Sequence, residues 1–588
     1  MHPQFRYRSP LLALASLTRG ARMPNVYDCI VIILLFGTAI AVIHGAHAAR
    51  APLEALSAHP ISLEPWRLAE YGLRTTLRMF AALIASFLFT LIFATWAVKS
   101  IRAEKIIIPA LDILQSVPVL GFMSFTVTFF LGLFPGKQLG AECAAIFAIF
   151  TSQAWNMAFS FYQSLLTVPR DLQEVSNSFG FSAWLRFWRL EAPFAMPSLI
   201  WNMMMSMSGG WFFVIACEAI AVGDTTVTLP GIGSYLGLAI QERNFTAVAY
   251  AVGAMAILII LYDQLFFRVI VAWSDKFRVE QTAGAVAPRS WLYDFLRRTS
   301  LLKRLAAPFG RAWLHVLTIS HPRKKTPLRS HVTTLPHVVP TPPRNERFWK
   351  SVRWIMAGIG TIIIFWYCYP HLSLADVGVA FTAGVVTFLR VVVLIAIASV
   401  IWVPIGVWIG LRPTLAQHIQ PFVQFLAAFP ANVLFPVAVV IILKLHLNAN
   451  IWLSPLMILG TQWYILFNVI AGASVFPTDL REVAQIYRLQ GTWTWWKNAL
   501  LPGIFPYYIT GALTAMGGSW NASIVAEIVS WGDAHLQAFG LGSYITNATT
   551  SGNHYHVALG VAVMSLFVTL VNRYFWRPLY KYAQCHWE

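Results

Sequence analysis

Residues 211–235 read WFFVIACEAIAVGDTTVTLPGIGSY, and residues 520–544 read WNASIVAEIVSWGDAHLQAFGLGSY. Trp211 and Glu218, and Gly231-Ile232-Gly233-Ser234-Tyr235, return as Trp520 and Glu527, and Gly540-Leu541-Gly542-Ser543-Tyr544. Every pair is offset by 309 positions, and Arg268 and Arg577 keep the register. A register held this long marks a duplicated unit, and duplicated membrane units build a path at their interface.

The setting is a membrane. The chain is 57% hydrophobic and 11% charged, with mean hydropathy +0.63, whereas soluble domains carry about 25% charged residues. Apolar segments predict about six spans per half, each near the ~20 residues a bilayer needs. They fall at 26–45, 76–98, 107–133, 141–165, 196–222 and 247–273, then at 351–369, 382–410, 421–445, 450–475, 503–529 and 555–576. The expected fold is an all-α integral membrane protein of about 12 transmembrane helices, two fused six-helix halves related by a parallel repeat. Its parts are an N-terminal tail (1–25), a first half (26–275), a basic linker (276–349) and a second half (350–588).

The net charge is +18, and residues 276–350 hold fifteen Lys and Arg against Glu280, Asp294 and Glu346. Nucleic-acid binding is one reading of such a run. A cytoplasmic loop obeying the positive-inside rule is the plainer one, and it is preferred in a chain this apolar. Arg6, Arg8, Arg19 and Arg22 precede the first span, which is long for a signal peptide, so that helix is expected to be retained with the N-terminus inside. The loop 99–105, residues 167–194, the linker and the tail with Arg573, Arg577 and Lys581 then share the cytoplasmic side. Arg50, Arg67 and Arg74 in the outer loop 46–75 run against the rule. In the linker, Trp291, Leu292, Phe295, Leu302 and Leu305 recur at helical spacing among basic residues, as in a helix lying in the headgroup layer or an ordinary solvated one. From His321 to Arg344 the chain is Pro-rich and reads as a connector. The five cysteines are isolated, and His554-Tyr555-His556 lacks the company a metal site needs.

Between the fourth and fifth spans the chain reads Pro169-Arg170-Asp171-Leu172-Gln173-Glu174-Val175-Ser176, then Gly180 and Leu190-Glu191-Ala192-Pro193. The second half gives Pro477-Thr478-Asp479-Leu480-Arg481-Glu482-Val483-Ala484, then Gly491 and Leu500-Leu501-Pro502. Pro197 and Pro506 follow. Each reads as a short helix with Pro in its first turn, an acid where the dipole favours one, Thr167 or Thr478 as cap, and glycine as terminator. The closing proline is expected to return the chain to the membrane. A rigid knob of this kind carries force from a partner into the bundle.

These residues resemble the coupling segment of binding-protein-dependent ABC importer permeases, E-A-A-x3-G-x9-I-x-L-P. The first copy keeps the spacing from Glu174 to Pro193, with Val175-Ser176 for Ala-Ala. The second places Arg488 in the glycine slot and Gly491 three positions later, and is one residue longer. Gln115-Ser116-Val117-Pro118 and Ala427-Ala428-Phe429-Pro430 look like the third helix of nitrate, sulfonate and taurine-type permeases, and the tandem form looks like the duplicated-permease branch of anion uptake. The resemblance implies that Asp171, Glu174, Gly180 and Pro193, with Asp479, Glu482, Gly491 and Pro502, engage two cytosolic ATPase subunits. It also implies a periplasmic binding protein, a small anion as substrate, and a bacterial-type inner membrane with both termini cytoplasmic. No G-x-x-x-x-G-K-[ST] occurs, since Gly136-Lys137 is followed by Gln, so ATP and Mg are expected on the partner and no cofactor or catalytic residue in this chain.

Polar side chains within spans face a bundle interior or a cavity. They are Gln115, Gln153, Asn156, Asn202, Ser206, Ser208 and Glu218, then Gln424, Gln462, Asn468, Asn521 and Glu527. Trp211 and Trp520 would narrow a path that these groups line; helix–helix hydrogen bonding is the plainer role for any one of them. Glu218 and Glu527, near the outer ends, equally suit loop anchoring. Arg78 and Arg390 occupy equivalent slots and would attract an anion or snorkel to the interface. A 6+6 secondary transporter is the competing class, disfavoured by the paired knobs and the scarcity of central carboxylates. A membrane-embedded enzyme finds no nucleophile–base pair or metal cluster to support it.

Overall fold

The computed structural model describes residues 61–222, 225–277, 290–299 and 371–576 except 475, 477–481, 484–485 and 488–492, with isolated positions beyond them. The first span of each half, most of the linker, Thr478, Asp479, Arg488, Gly491 and Arg577 lie outside the described residues.

The first half runs through α1 (Arg67–Lys99), α2 (Ile101–Ser116), α3 (Met123–Leu133), α4 (Gln138–Leu166), the short α5 (Arg170–Ser178), α6 (Ala183–Glu218), a hairpin of β1 (Ala219–Val222) and β2 (Thr225–Thr228), α7 (Ile232–Gln241) and α8 (Phe245–Phe277). From the linker, α9 (Trp291–Arg298) is described; Ser290 caps it by accepting from the Tyr293 N–H at 3.2 Å. The second half gives α10 (Leu374–Gly410), α11 (Pro413–Ala428), α12 (Phe435–Lys444), α13 (Gln462–Ser474), α14 (Trp493–Ala526), β3 (Ile528–Trp531), β4 (Ala534–Gln537), α15 (Leu541–Thr550) and α16 (His554–Trp576). The order repeats, hairpins included: Ala219 pairs with Thr228 and Val222 with Thr225, as Ile528 with Gln537 and Trp531 with Ala534. The fold is all-α in its spans, with these two small antiparallel hairpins added.

Among the described residues six helices are long and apolar enough to cross a membrane, or eight if each of two bent pairs counts as one. Two expected boundaries move. The second span starts at Arg67, not 76, because Glu70 pairs with both Arg67 and Arg74 along one helix face. The third span of each half is broken. Val117 and Phe429, each preceding a proline, are extended (ψ 124° and 122°). A residue before proline is pushed out of the helical region, so α2 and α11 stop there. In the second half the chain then turns by 74°.

The fifth spans also differ from expectation. The chain re-enters its helix at Ala183 and Trp493, well before the closing prolines, and runs on through Pro193 and Pro502. A π-turn immediately precedes each, at Phe187–Glu191 and Trp496–Leu500. The wider turn re-routes the hydrogen bonds that a proline in a regular helix would lose.

Candidate functional site

At one end of each half one buried carboxylate gathers three elements. Glu218, with no exposed surface, accepts from Thr75 Oγ1 at 2.6 Å, from Arg78 at 2.7 Å and from the Gly233 N–H at 2.7 Å. Thr75 in turn accepts the Ile232 N–H at 3.1 Å. In the second half Glu527 accepts from Thr387 at 2.8 Å, Arg390 at 3.3 Å and the Ser543 N–H at 3.0 Å, and Thr387 accepts from Leu541 N–H at 2.8 Å. This explains the repeated Gly-x-Gly-Ser-Tyr. A Cβ on Gly231 would lie 2.2 Å from the Glu218 carboxyl carbon, and one on Gly540 would lie 2.3 Å from a Glu527 carboxylate oxygen. Glycine is required because backbone rests on the carboxylate. Both glutamates fasten the N-termini of α7 and α15, whose free N–H groups favour an anion.

The arginines differ. Arg78 is 3% exposed and also grips Glu142 with two bonds, at 2.6 and 2.7 Å. Arg390 reaches the Phe539 carbonyl at 2.8 Å and Asn450 at 3.5 Å instead. Arg78 is thus enclosed by two carboxylates, an arrangement that offers an anion no free charge. Sequence reasoning missed Glu142, which sits alone in an apolar segment, and Thr75 and Thr387, which look like ordinary helix residues.

On the opposite end α5 forms the first elbow. Pro169 occupies its N-cap and Asp171 its first turn. Thr167 does not cap it; its hydroxyl donates to Ser164 O at 3.0 Å and finishes α4. Gly180 has φ +66°, and the bonds Gly180 N–H to Asn177 O (2.9 Å) and Phe181 N–H to Ser176 O (3.1 Å) close α5 in a Schellman motif. Glu174, Val175 and Phe179 project outward, Phe179 with 75% of its surface free. Glu191 anchors the elbow's exit, pairing with Lys99 at the end of α1 and with Arg186 at 3.1 Å. In the second half Glu482, Val483, Ile486 and Tyr487 are likewise exposed, Ile486 at 76% and Tyr487 at 71%. The counterpart of Glu191 there is the buried Leu500.

The halves meet along α6. Asn432 donates to Phe212 O at 3.2 Å, and Trp201 stacks on Phe467 at 5.2 Å. Asn521 of α14 accepts the Val119 N–H at 2.8 Å. Gln424 of α11 donates to Asp263 of α8 at 3.1 Å, at the wall of a cavity of about 320 Å³ that Ser208 and Trp211 also line. On α14, Thr510 and Thr514 are exposed on the face that carries Asn521, and Gly517 has open space where a Cβ would stand. These threonines were not read from the sequence: each bonds to its own helix, Thr510 to Pro506 O and Thr514 to Thr510 O, a habit of any helical threonine.

The other expected path residues scatter. Gln153 is buried against Met207, and its Oε1 has no hydrogen-bond partner among the described residues. Asn156 bonds Ser206 at 2.9 Å and Asn202 bonds Ser160 at 2.6 Å, both within the first half. Gln462 accepts from Trp402 at 3.0 Å, and Asn468 donates to Tyr464 O of its own helix at 2.8 Å. Gln115 is exposed on α2. Trp211 packs edge-on against Tyr262 of α8 and Trp520 stacks on Phe567 of α16. Each indole faces the last span of its own half, and the two are not brought together.

Comparison with known proteins agrees with this duplication. The family model described as binding-protein-dependent transport system inner membrane component matches twice, at residues 86–277 and 402–576. A nitrate import permease protein of Leptolyngbya laminosa is 27% identical over 183 residues, 31% of this chain and 62% of that protein. A bicarbonate transport system permease protein of Synechococcus elongatus is 28% identical over 208 residues, 35% of this chain and 71% of that protein. The glycine betaine/proline betaine transport system permease protein of Escherichia coli is 32% identical over 146 residues, 24% of this chain and 39% of that protein. The matched segment thus spans under two thirds of the nitrate relative's length. With the family's model covering more than half of its length, and doing so once in each repeat, the chain belongs to the binding-protein-dependent transport system inner membrane components.

Proposed function

We propose that this chain is a transmembrane permease subunit of an ATP-driven importer of a small inorganic anion of the nitrate or bicarbonate class. The observation that carries the reading is the pair of elbows: two short segments at equivalent points of the repeat, each presenting an acid and bare apolar or aromatic side chains that a lone subunit has no reason to expose. Two cytosolic ATPase subunits, which bind ATP and Mg, would dock there. Their closure would push Glu174 and Glu482 together with Phe179 and Tyr487, and the rigid fifth spans that follow would swing the halves. A binding protein would deliver the anion to the outer mouth of this inner-membrane subunit.

The anion class rests on the two relatives named for nitrate and bicarbonate. The stripe of Thr510, Thr514 and Asn521 supports it: hydroxyls that can turn from the carbonyls of their own helix, and the second N–H of the Asn521 amide, would exchange for the water around an anion without holding it as a fixed charge would. The Arg78 and Arg390 clusters belong to the scaffold in this reading, holding α7 and α15 in place.

The test is co-purification and uptake. The permease, expressed with its ATPase and binding protein, should retain the ATPase in detergent, and vesicles should take up labelled nitrate or bicarbonate only with ATP. Glu174→Lys with Glu482→Lys should release the ATPase and abolish uptake while the chain still inserts. Uptake driven by a proton gradient without ATP would instead establish a secondary transporter.

A further inference from the structure

At the outer surface the hairpin of the second half reaches across to the first. The turn Gly532-Asp533, between β3 and β4, meets the end of α7. The Gly532 N–H donates to Ile240 O at 3.0 Å, Arg243 pairs with Asp533 at 2.7 Å, and Trp531 lies on Phe245 with ring centroids 4.4 Å apart. The Arg243 side chain lies flat on Gly532: a Cβ there would stand 2.1 Å from Arg243 Nε.

Arg243 is itself an outlier, with φ +53°. It occupies the position after the α7 terminus where the Asn244 N–H returns to Ala239 O at 2.9 Å. The second half builds the same closure after α15, with Asn553 N–H to Ala548 O at 2.9 Å, and there the left-handed residue is Gly552, φ +67°. Glycine adopts this conformation freely and a side-chained residue does not. The repeat therefore shows which residue the turn prefers, and the first half carries an arginine in its place. An exposed ion pair returns little stability for that strain, with Asp533 fully open to solvent. The arginine's value lies in what it touches, the other half of the transporter.

We propose that Arg243 is a positioning residue of the transport cycle, a latch that holds the outer mouth closed by gripping the Gly532-Asp533 turn, and that lets go when the halves part toward the outside. A weak, solvent-screened pair suits that task, because a gate must open at each cycle. At the position of Arg243 the second half carries Gly552, which has no side chain to offer. The proposal rests on the alternating-access reading above.

The test uses the whole chain in lipid nanodiscs, its five native cysteines replaced, with spin labels at Glu242→Cys and His535→Cys. Arg243→Gly restores the residue the turn prefers, so folding is expected to be unharmed. It should add a population of longer label distances, while Arg243→Lys should keep the short one. The exchange Arg243→Asp with Asp533→Arg should recover the short distance in part. In the complete complex Arg243→Gly should raise ATP hydrolysis in the absence of binding protein several-fold. Distances in Arg243→Gly identical to the parent chain would overturn the latch. So would a variant that loses only stimulation by the binding protein, which would assign Arg243 to docking. Because the distances need no ATPase, an opened mouth in a complex that fails to import with ATP would retain the latch and discard the importer.

Discussion

The Glu218 and Glu527 clusters share a plan and differ in charge. Around Glu218 one arginine faces two carboxylates, and around Glu527 one arginine faces a single carboxylate, an amide and a carbonyl. What the halves preserve is the glutamate, the threonine, the close glycine and the helix N-terminus. The charge surrounding them is free to vary. The repeat is therefore constrained by the need to fasten α7 and α15, and the arginines serve that fastening in unequal ways.

The inequality sets the largest expected effect. Arg78→Leu strands the buried Glu218 and the half-buried Glu142, and should cost about 3–5 kcal/mol. Arg390→Leu strands one longer contact and should cost about 1–3 kcal/mol. Thermal unfolding of the two variants in nanodiscs reads the difference directly, and equal losses would erase the contrast. Next come the glycines, where the halves should behave alike. Gly231→Ala and Gly540→Ala each drive a Cβ into a carboxylate, and each should cost roughly 1–3 kcal/mol from overpacking. A variant that unfolds no earlier than its parent would remove the close approach as the reason for glycine. The smallest effect is a conversion: Asn450→Glu places a carboxylate beside Arg390 as Glu142 stands beside Arg78. With Asn450 exposed, the gain should stay below about 1 kcal/mol and fade with added salt. A salt-independent gain would point to a packing change instead.

Much of this was legible in the sequence. The duplication and the membrane class follow from a fixed offset and from hydropathy, and the first elbow helix follows from its proline, first-turn acid and closing glycine. Gly180 announced its turn because few other residues take a left-handed closure. The site chemistry was less legible, for physical reasons. Arg78 and Arg390 read as free charges because their partners, Glu142 and Glu218 for the first and Glu527 for the second, lie distant in sequence and meet them only through packing. Pro193 and Pro502 read only as the points where the chain returns to the membrane, since a π-turn that carries a helix through proline leaves no simple residue pattern. Trp211 and Trp520 stood out as large and repeated, yet a buried indole on a neighbouring span satisfies the same pattern. Arg243 gave no signal until its backbone was set against that of Gly552.

The central claim is that both elbows press on a nucleotide-binding partner. It is tested most directly by placing a photo-crosslinking benzoylphenylalanine at Phe179 in one chain and at Tyr487 in another, each in a complex that transports. The account predicts that illumination captures the ATPase from either position, and that capture strengthens when ATP closes the dimer. Capture from neither position, in a complex that still takes up its anion, would contradict it.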